Sequence, residues 1–430
     1  MTTCWRTISF GRSRRTARPF SMFERAATSP PWSPRPSSRD APAKLWRWVR
    51  DEKREPGMKF KIAVLGATGF IGAPYREEIR ECPDDAEIVS LCGRRLDLLE
   101  AAAAEDGAGC FTADWREAIG QEGVNLVLVC TPDALHHEAV MACAEAGLHV
   151  VCEKPIGVNA AEANEIWKAY SESGLGHFVP LWTRYVDVFR KAREICESGA
   201  LGEVRAFIYR WHNPRPASMP LTWRDDATLS SAGSIADVGS HAYDAVRWIL
   251  GEEARRVQTH ADVVSPPKSD LGDINLGEAI AWGEEHAEPG ETERRKGSSY
   301  DYASISVELD SGAVGTMVLS HASFLRKGVA PELELHGSDA SLSIDRISGA
   351  VRLFRTDAEP ETAATLPDEG QGNRFKQYAF PGLRDRIEGR PCVHPGLDDG
   401  YRVQLFTEAA ARSARQGGWV ELSAIEDELD

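Results

Sequence analysis

From Lys59 onward the chain alternates short apolar runs with helix-patterned stretches, and this alternation limits the folds open to it. The runs KIAVLG (61–66), EIVSLCG (87–93), NLVLVCT (125–131) and HVVCEK (149–154) are nearly continuous in apolar residues, as strands covered on both faces must be. Between them, APYREEIREC and HHEAVMACAEAG carry helical spacing. The repetition predicts an α/β protein whose first domain, residues 58–179, is a parallel sheet with helices on both faces. After about Pro180 the strands lengthen (EVRAFIYRW, YASISVEL, AVGTMVLSHAS) and one strong helix falls near residue 240. That pattern predicts a second, α+β domain over 180–425 with a mixed or antiparallel sheet, interrupted at 265–300 by a long polar insertion.

Charge separates the ends of the chain. Residues 1–57 hold 13 Lys and Arg against 5 Asp and Glu, whereas the rest holds 37 against 61, a formal net of −24. An acidic body of this kind repels nucleic acid and anionic membrane, so neither is expected as a partner. No stretch approaches the roughly 20 apolar residues of a membrane span. The first 57 residues are rich in Arg, Ser and Pro, lack periodicity and are expected to be disordered. They read as an export signal without its apolar core, as a transit peptide, or as an upstream extension, since MKFKIAVLG begins a domain cleanly at Met58. The nine cysteines form no CxxC pair and show no metal-ligand spacing, so no metal is expected and a reducing, cytoplasmic location fits best.

The turn after the first strand, GATGFIG, holds Gly66, Thr68, Gly69, Phe70, Ile71 and Gly72. Glycines here permit a tight turn and let a pyrophosphate approach the N-terminus of the following helix. The context, a strand before and a helix after, favours dinucleotide binding, although the spacing is GxxGxxG instead of GxGxxG. After the second strand an acid would serve the adenosine ribose of NAD. This chain has Gly93, Arg94 and Arg95, and an arginine there can pair with the 2′-phosphate of NADP, which favours NADP over NAD.

The second chemical signal is SIADVGSHAYDAVRWILG (234–251), where Asp237, His241 and Asp244 fall at i, i+4 and i+7 of a helix that starts early enough. Removing a hydride from an alcohol carbon requires a base for the hydroxyl proton, and histidine suits it. It also requires a cation for the developing oxygen charge, which Lys154 at the mouth of the fourth apolar run can supply.

GATGFIG, VCTPDALHHEAVMACAEAGLHVVCEKP, ESGALGEV and DVGSHAYDAVRWILG together resemble the successive motifs of the Gfo/Idh/MocA oxidoreductases over roughly residues 59–422. The resemblance implies a Rossmann domain followed by a domain whose open sheet assists homo-oligomerisation, as a homodimer or homotetramer. It implies hydride transfer between a nicotinamide cofactor and a hydroxyl carbon of a sugar, inositol or related polyol. It puts the family's EKP lysine on Lys154, after Glu153, with a frequently cis bond before Pro155, and its D-x-x-x-H pair on Asp237 and His241. Thr131, Pro132 and His136 match the stretch beside the cofactor, and Arg184 in WTRY matches a residue lining the substrate site. Two other readings are weaker. Extended short-chain dehydrogenases need a Tyr-x-x-x-Lys pair, absent from this chain. A non-catalytic nucleotide sensor of the same fold would have no use for Lys154, Asp237 and His241 together.

Overall fold

The computed structural model describes residues 57–272, 274–286, 293–366 and 370–429; apart from Gly57, the expected N-terminal extension lies outside them. Six strands, β1 (Phe60–Leu65), β2 (Ala86–Cys92), β3 (Cys110–Thr112), β4 (Leu126–Val129), β5 (His149–Cys152) and β6 (His177–Phe178), form a parallel sheet in the order β3-β2-β1-β4-β5-β6. The connections carry α1 (Gly72–Arg80), α2 (Leu96–Asp106), α3 (Trp115–Ile119), α4 (His136–Glu145) and α5 (Ala160–Ser171). Ile62, Ala63 and Val64 of β1 are all fully buried, because both faces of the sheet are covered. Strand order reverses between β1 and β4, which opens a crevice at their carboxyl ends.

The chain continues through α6 (Asp187–Glu197), β7 (Val204–His212), α7 (Ser234–Leu250) and β8 (Ala254–Asp262). It then enters the insertion, where β9 (Lys268–Ser269) and β10 (Arg294–Arg295) pair as an antiparallel ribbon around α8 (Leu276–Glu285). Polar as its composition is, the insertion has its own core. Leu276 and Ala279 of α8 bury against Met219, and Asn275 and Glu278 exchange side-chain and backbone bonds as a capping box.

The remaining strands are β11 (Tyr302–Leu309), β12 (Val314–Ser320), β13 (Leu333–Gly337), β14 (Ser341–Asp345), β15 (Ala350–Phe354) and β16 (Glu361–Thr365). The chain ends through α9 (Phe380–Ile387), α10 (Leu397–Gln416), β17 (Val420–Glu421) and α11 (Leu422–Glu426). Nine strands make the second sheet in the order β16-β15-β14-β13-β7-β12-β11-β8-β17, antiparallel throughout except for the parallel pair β7–β12. Ala303, Ile305, Val307 and Leu309 of β11 are buried at every second position, in the core shared with α7 and α10. The α/β fold with a Rossmann-like sheet and a mostly antiparallel second sheet is thus the one expected.

One excursion has no counterpart in the sequence pattern. Residues 375–383 return to the first sheet, where Phe375, Phe380 and Leu383 join the core beneath β1 and the Phe380 ring stacks on Phe60 at 5.2 Å. Arg384 extends this contact with an ion pair to Asp85 at 2.8 Å. Among the described residues no helix is long and apolar enough to cross a membrane.

Candidate active site

A cleft of about 620 Å³ runs along the carboxyl ends of the parallel strands and on to α7, the end of β7 and α8. At one end lies the glycine turn. Gly66 has a φ of +79°, and a Cβ there would stand 2.5 Å from the Cys130 carbonyl oxygen, so the backbones after β1 and β4 approach as only glycine allows. A Cβ on Gly72 would meet the Gly66 carbonyl at 2.3 Å; its glycine lets α1 start tight against the turn, behind the cleft wall. Thr68, Gly69, Phe70, Ile71, Gly93, Arg94, Arg95, Thr131 and Pro132 line this end. Thr131 Oγ1 is buried without a partner, an orphaned polar atom in a wall that a dinucleotide would cover. The tight glycine turn, the orphan hydroxyl and the two arginines fit a dinucleotide.

His136 does not reach the cleft. Its ring bridges the Thr131 and Pro155 carbonyls at 2.8 Å each and so ties the two cleft-forming loops together from behind. Arg95 is also partly committed, since its guanidinium pairs with Glu278 of α8 at 2.8 Å.

At the other end, Lys154 leaves β5 and reaches across to α7, where Nζ donates to the Asp237 carbonyl and to Asp237 Oδ1, both at 2.9 Å. The Lys154–Pro155 peptide is cis. Glu153 is buried and accepts from the Tyr75 hydroxyl, which in turn accepts from Trp182 Nε1 at 2.6 Å. Burial by itself would raise the Asp237 carboxyl, but Lys154, His321 and Arg224 outweigh it and hold it well below the usual carboxylate range. His241, one turn further along α7, lines the same end; its ring stacks on Trp211 at 5.7 Å and its Nδ1 has no hydrogen-bond partner. Burial, reinforced by the charge of Lys154, pushes its pKa well below that of a free imidazole, against the opposing pull of Asp237. The ring is therefore neutral and able to accept a proton.

Two expected neighbours lie elsewhere. Asp244, third in the i, i+4, i+7 series, is fully buried and faces away from the cleft toward Arg184. Arg184 consequently does not line the cleft: its guanidinium binds Asp244 at 2.7 Å through Nε and Asp399 at 2.8 Å, within a buried network that includes Arg247. A helix turns 700° over seven residues, about 20° short of two turns, so i and i+7 share a face. Here a cationic partner beneath the helix captures Asp244 while Asp237 leans into the cleft. Conversely, sequence reasoning missed Trp211, Asn213, Arg215, Trp223 and Arg224, which line the Lys154 end of the cleft, and His321, whose Nε2 lies 3.2 Å from Asp237 Oδ2. The dense RWHNPRP stretch after the EVRAFIY strand was the available signal.

Fold and cleft define a nucleotide-dependent oxidoreductase of the two-domain kind. Residues 60–179 match the family model for the oxidoreductase family with an NAD-binding Rossmann fold, and residues 189–343 match that for the GFO/IDH/MocA C-terminal domain. The chain belongs to the Gfo/Idh/MocA oxidoreductases. It is 26% identical over 351 residues to levoglucosan dehydrogenase of Pseudarthrobacter phenanthrenivorans, covering 76% of this chain and 88% of that protein. It is 28% identical over 379 residues to myo-inositol 2-dehydrogenase of Thermotoga maritima, covering 85% and 99%. Among solved structures, an oxidoreductase domain protein from Kribbella flavida superimposes with a TM-score of 0.72 at 23% identity, over 85% of this chain and all of that one. A levoglucosan dehydrogenase in complex with NADH and levoglucosan gives 0.69 at 21%, with the same coverage.

Proposed function

We propose that this oxidoreductase transfers a hydride between a nicotinamide cofactor and a hydroxyl-bearing carbon of a sugar, inositol or related polyol. The observation that carries the reading is the convergence of Lys154 Nζ, Asp237 and neutral His241 at one end of a cleft whose other end is a glycine turn. A bound nicotinamide supplies the hydride acceptor. Lys154, held in place by two bonds to Asp237, stabilises negative charge on the substrate oxygen. His241 takes the hydroxyl proton, which its depressed pKa permits across the neutral range. Asp237 orients the lysine, and its carbonyl and carboxylate fix the ammonium from two directions.

For the cofactor, Gly66, Thr68, Gly69, Phe70 and Ile71 would hold the pyrophosphate, Gly93, Arg94 and Arg95 the adenosine ribose, and Thr131, Pro132 and Glu153 the nicotinamide half. NADP is the favoured cofactor because arginines stand at the ribose corner, although Arg95 must divide its charge between Glu278 and a 2′-phosphate. The eight cysteines among the described residues are free thiols, half of them buried, which suits a reducing cytoplasm, and the open edges of the nine-stranded sheet suit a homodimer or homotetramer. The test is a cofactor-reduction screen over sugars, inositols and other polyols with NAD and NADP. Reduction by at least one of them is expected, and none with any would overturn the reading.

A further inference from the structure

The substrate end of the cleft holds more positive charge than hydride transfer from a neutral sugar needs. Arg215 and Arg224 follow the end of β7 and line the cleft beside Asp237, with side chains only 12% and 17% exposed. Their anionic partner is shared and distant: Arg215 Nη2 lies 3.5 Å and Arg224 Nε 3.7 Å from the same Asp237 oxygen, which His321 also approaches. The other oxygen of that carboxylate already serves Lys154. One carboxylate thus faces three permanent cations.

The neighbouring acids do not make up the difference. Asp225 gives its Oδ1 to Lys268 at 2.6 Å. Asp133 accepts from Ser231 at 3.2 Å, and burial raises its pKa toward the neutral form, against the opposing charge of His136, Lys154 and Arg224. Lys327 adds further positive charge near Arg215, and Glu332 is engaged by Arg346 at 2.6 Å. Buried charge without a matching partner is costly, and an enclosed guanidinium retains its planar fork of donors for whatever anion arrives.

Resting on the dehydrogenase reading above, we infer that Arg215 and Arg224 seat a carboxylate of the substrate, which makes the substrate an acidic sugar or polyol of the uronate or aldonate class. Among the three cations that line the cleft beside Asp237, the charge count selects a carboxylate over a phosphate ester, since Lys327 stands outside the lining. Asp237 neutralises one of the three and the charge developing on the reacting oxygen engages Lys154, which leaves one positive charge to match a single carboxylate. A phosphomonoester, with a charge of about −1.5 to −2, would overfill the site. The acid group then anchors the ring through the arginines and turns one hydroxyl toward Lys154 and His241.

The inference is tested on the full chain by steady-state kinetics with matched pairs: glucuronate against glucose, galacturonate against galactose, gluconate against sorbitol, with glucose 6-phosphate as a third arm. A carboxylated member should exceed its neutral partner in kcat/KM by roughly tenfold or more, through KM. Arg215→Gln and Arg224→Gln should each reduce that preference by roughly ten- to a hundredfold, and Arg215→Lys should restore part of it. Equal or better efficiency with the neutral members, or with the phosphate, would overturn the inference. So would variants that lower acid and neutral substrates equally through kcat, since the arginines would then serve only Asp237. If nothing reduces either cofactor, the dehydrogenase reading falls by itself. Calorimetric titration of the NADH-saturated protein then decides the anion seat: glucuronate binding at least tenfold tighter than glucose supports it, and equal affinity overturns it.

Discussion

Lys154 and His241 act on the same oxygen in the proposed reaction, but the structure gives them different dependents. Lys154 Nζ also holds the Asp237 carboxylate, so Lys154→Ala removes the oxygen-stabilising charge and leaves a buried carboxylate with weaker partners. His241 stacks on Trp211 and its Nδ1 holds no hydrogen-bond partner in place. His241→Ala should therefore lower the hydride-transfer rate by about 10² to 10⁴ while cofactor affinity, read by NADH fluorescence, stays within about twofold. Lys154→Ala should lower the rate at least as much. Near-normal turnover in both variants would remove these residues from the chemistry. Lys154, Asp237 and His241 were legible in the sequence because each sits in a short contiguous motif, at a strand mouth or a helix start. Arg215, Arg224, Trp211 and His321 were not. They leave β7, β12 and an irregular connection, and only the pairing of β7 with β12 and the docking of α7 bring them around Asp237. Arg184 failed for the converse reason, because the partners that turn it inward, Asp244 and Asp399, lie 60 and 215 residues away.

Among the elements, α8 is the least expected. Its tract was read as a polar insertion, since its few apolar residues look sparse beside the surrounding charge; yet Leu276, Ala279, Ile274 and Ile280 are enough to dock it over Met219. Docked there, α8 brings Leu276 and Ile280 into the cleft wall and Glu278 to Arg95. Its Gly277 leaves a Cβ-sized space 3.4 Å from the Phe70 ring of the glycine turn, so helix and turn meet over the cofactor end. The ion pair is half-exposed, and its own contribution to stability is small. Its effect on cofactor choice is larger in principle, because Glu278 competes with a 2′-phosphate for Arg95 and repels it. Glu278→Gln should raise the NADP-to-NAD ratio of kcat/KM by about three- to tenfold, chiefly through the KM for NADP. Arg94→Asp should lower the same ratio by supplying a ribose acceptor and repelling phosphate. Unchanged ratios in both variants would mean that neither side chain meets the ribose.

Across the whole molecule, two backbone contacts depend on imidazoles that can accept only when uncharged. His177 Nδ1 accepts from the Leu397 N–H at 3.0 Å, joining β6 to the start of α10, and His149 Nδ1 accepts from the Gly176 N–H at 3.0 Å. A protonated ring can do neither. Burial, together with Arg386, pushes the His177 pKa down to about 3; burial also lowers His149, His241 and His321. Above about pH 6.5 these rings are neutral whether the chain is folded or not, and they impose no pH dependence. As the pH falls below that value the unfolded chain takes up protons that the folded one refuses, so the unfolded state gains. Each such histidine then costs about 1.4 kcal/mol of stability per pH unit, down to its folded pKa. His177, with its folded pKa near 3, by itself costs about 2 kcal/mol between pH 6.5 and 5, and His241 and His321, which burial also lowers, add to the loss in the same direction. Asp237 and Asp399, both held below the ordinary carboxylate range in the fold, add a further loss below about pH 4, where unfolded carboxylates protonate first. Urea titrations at half-unit intervals should therefore show stability level from pH 8 to 7 and falling steeply from 6.5. A flat profile down to pH 5 would mean that these histidines take up protons in the folded state and that the bonds to Leu397 and Gly176 are not needed to hold it.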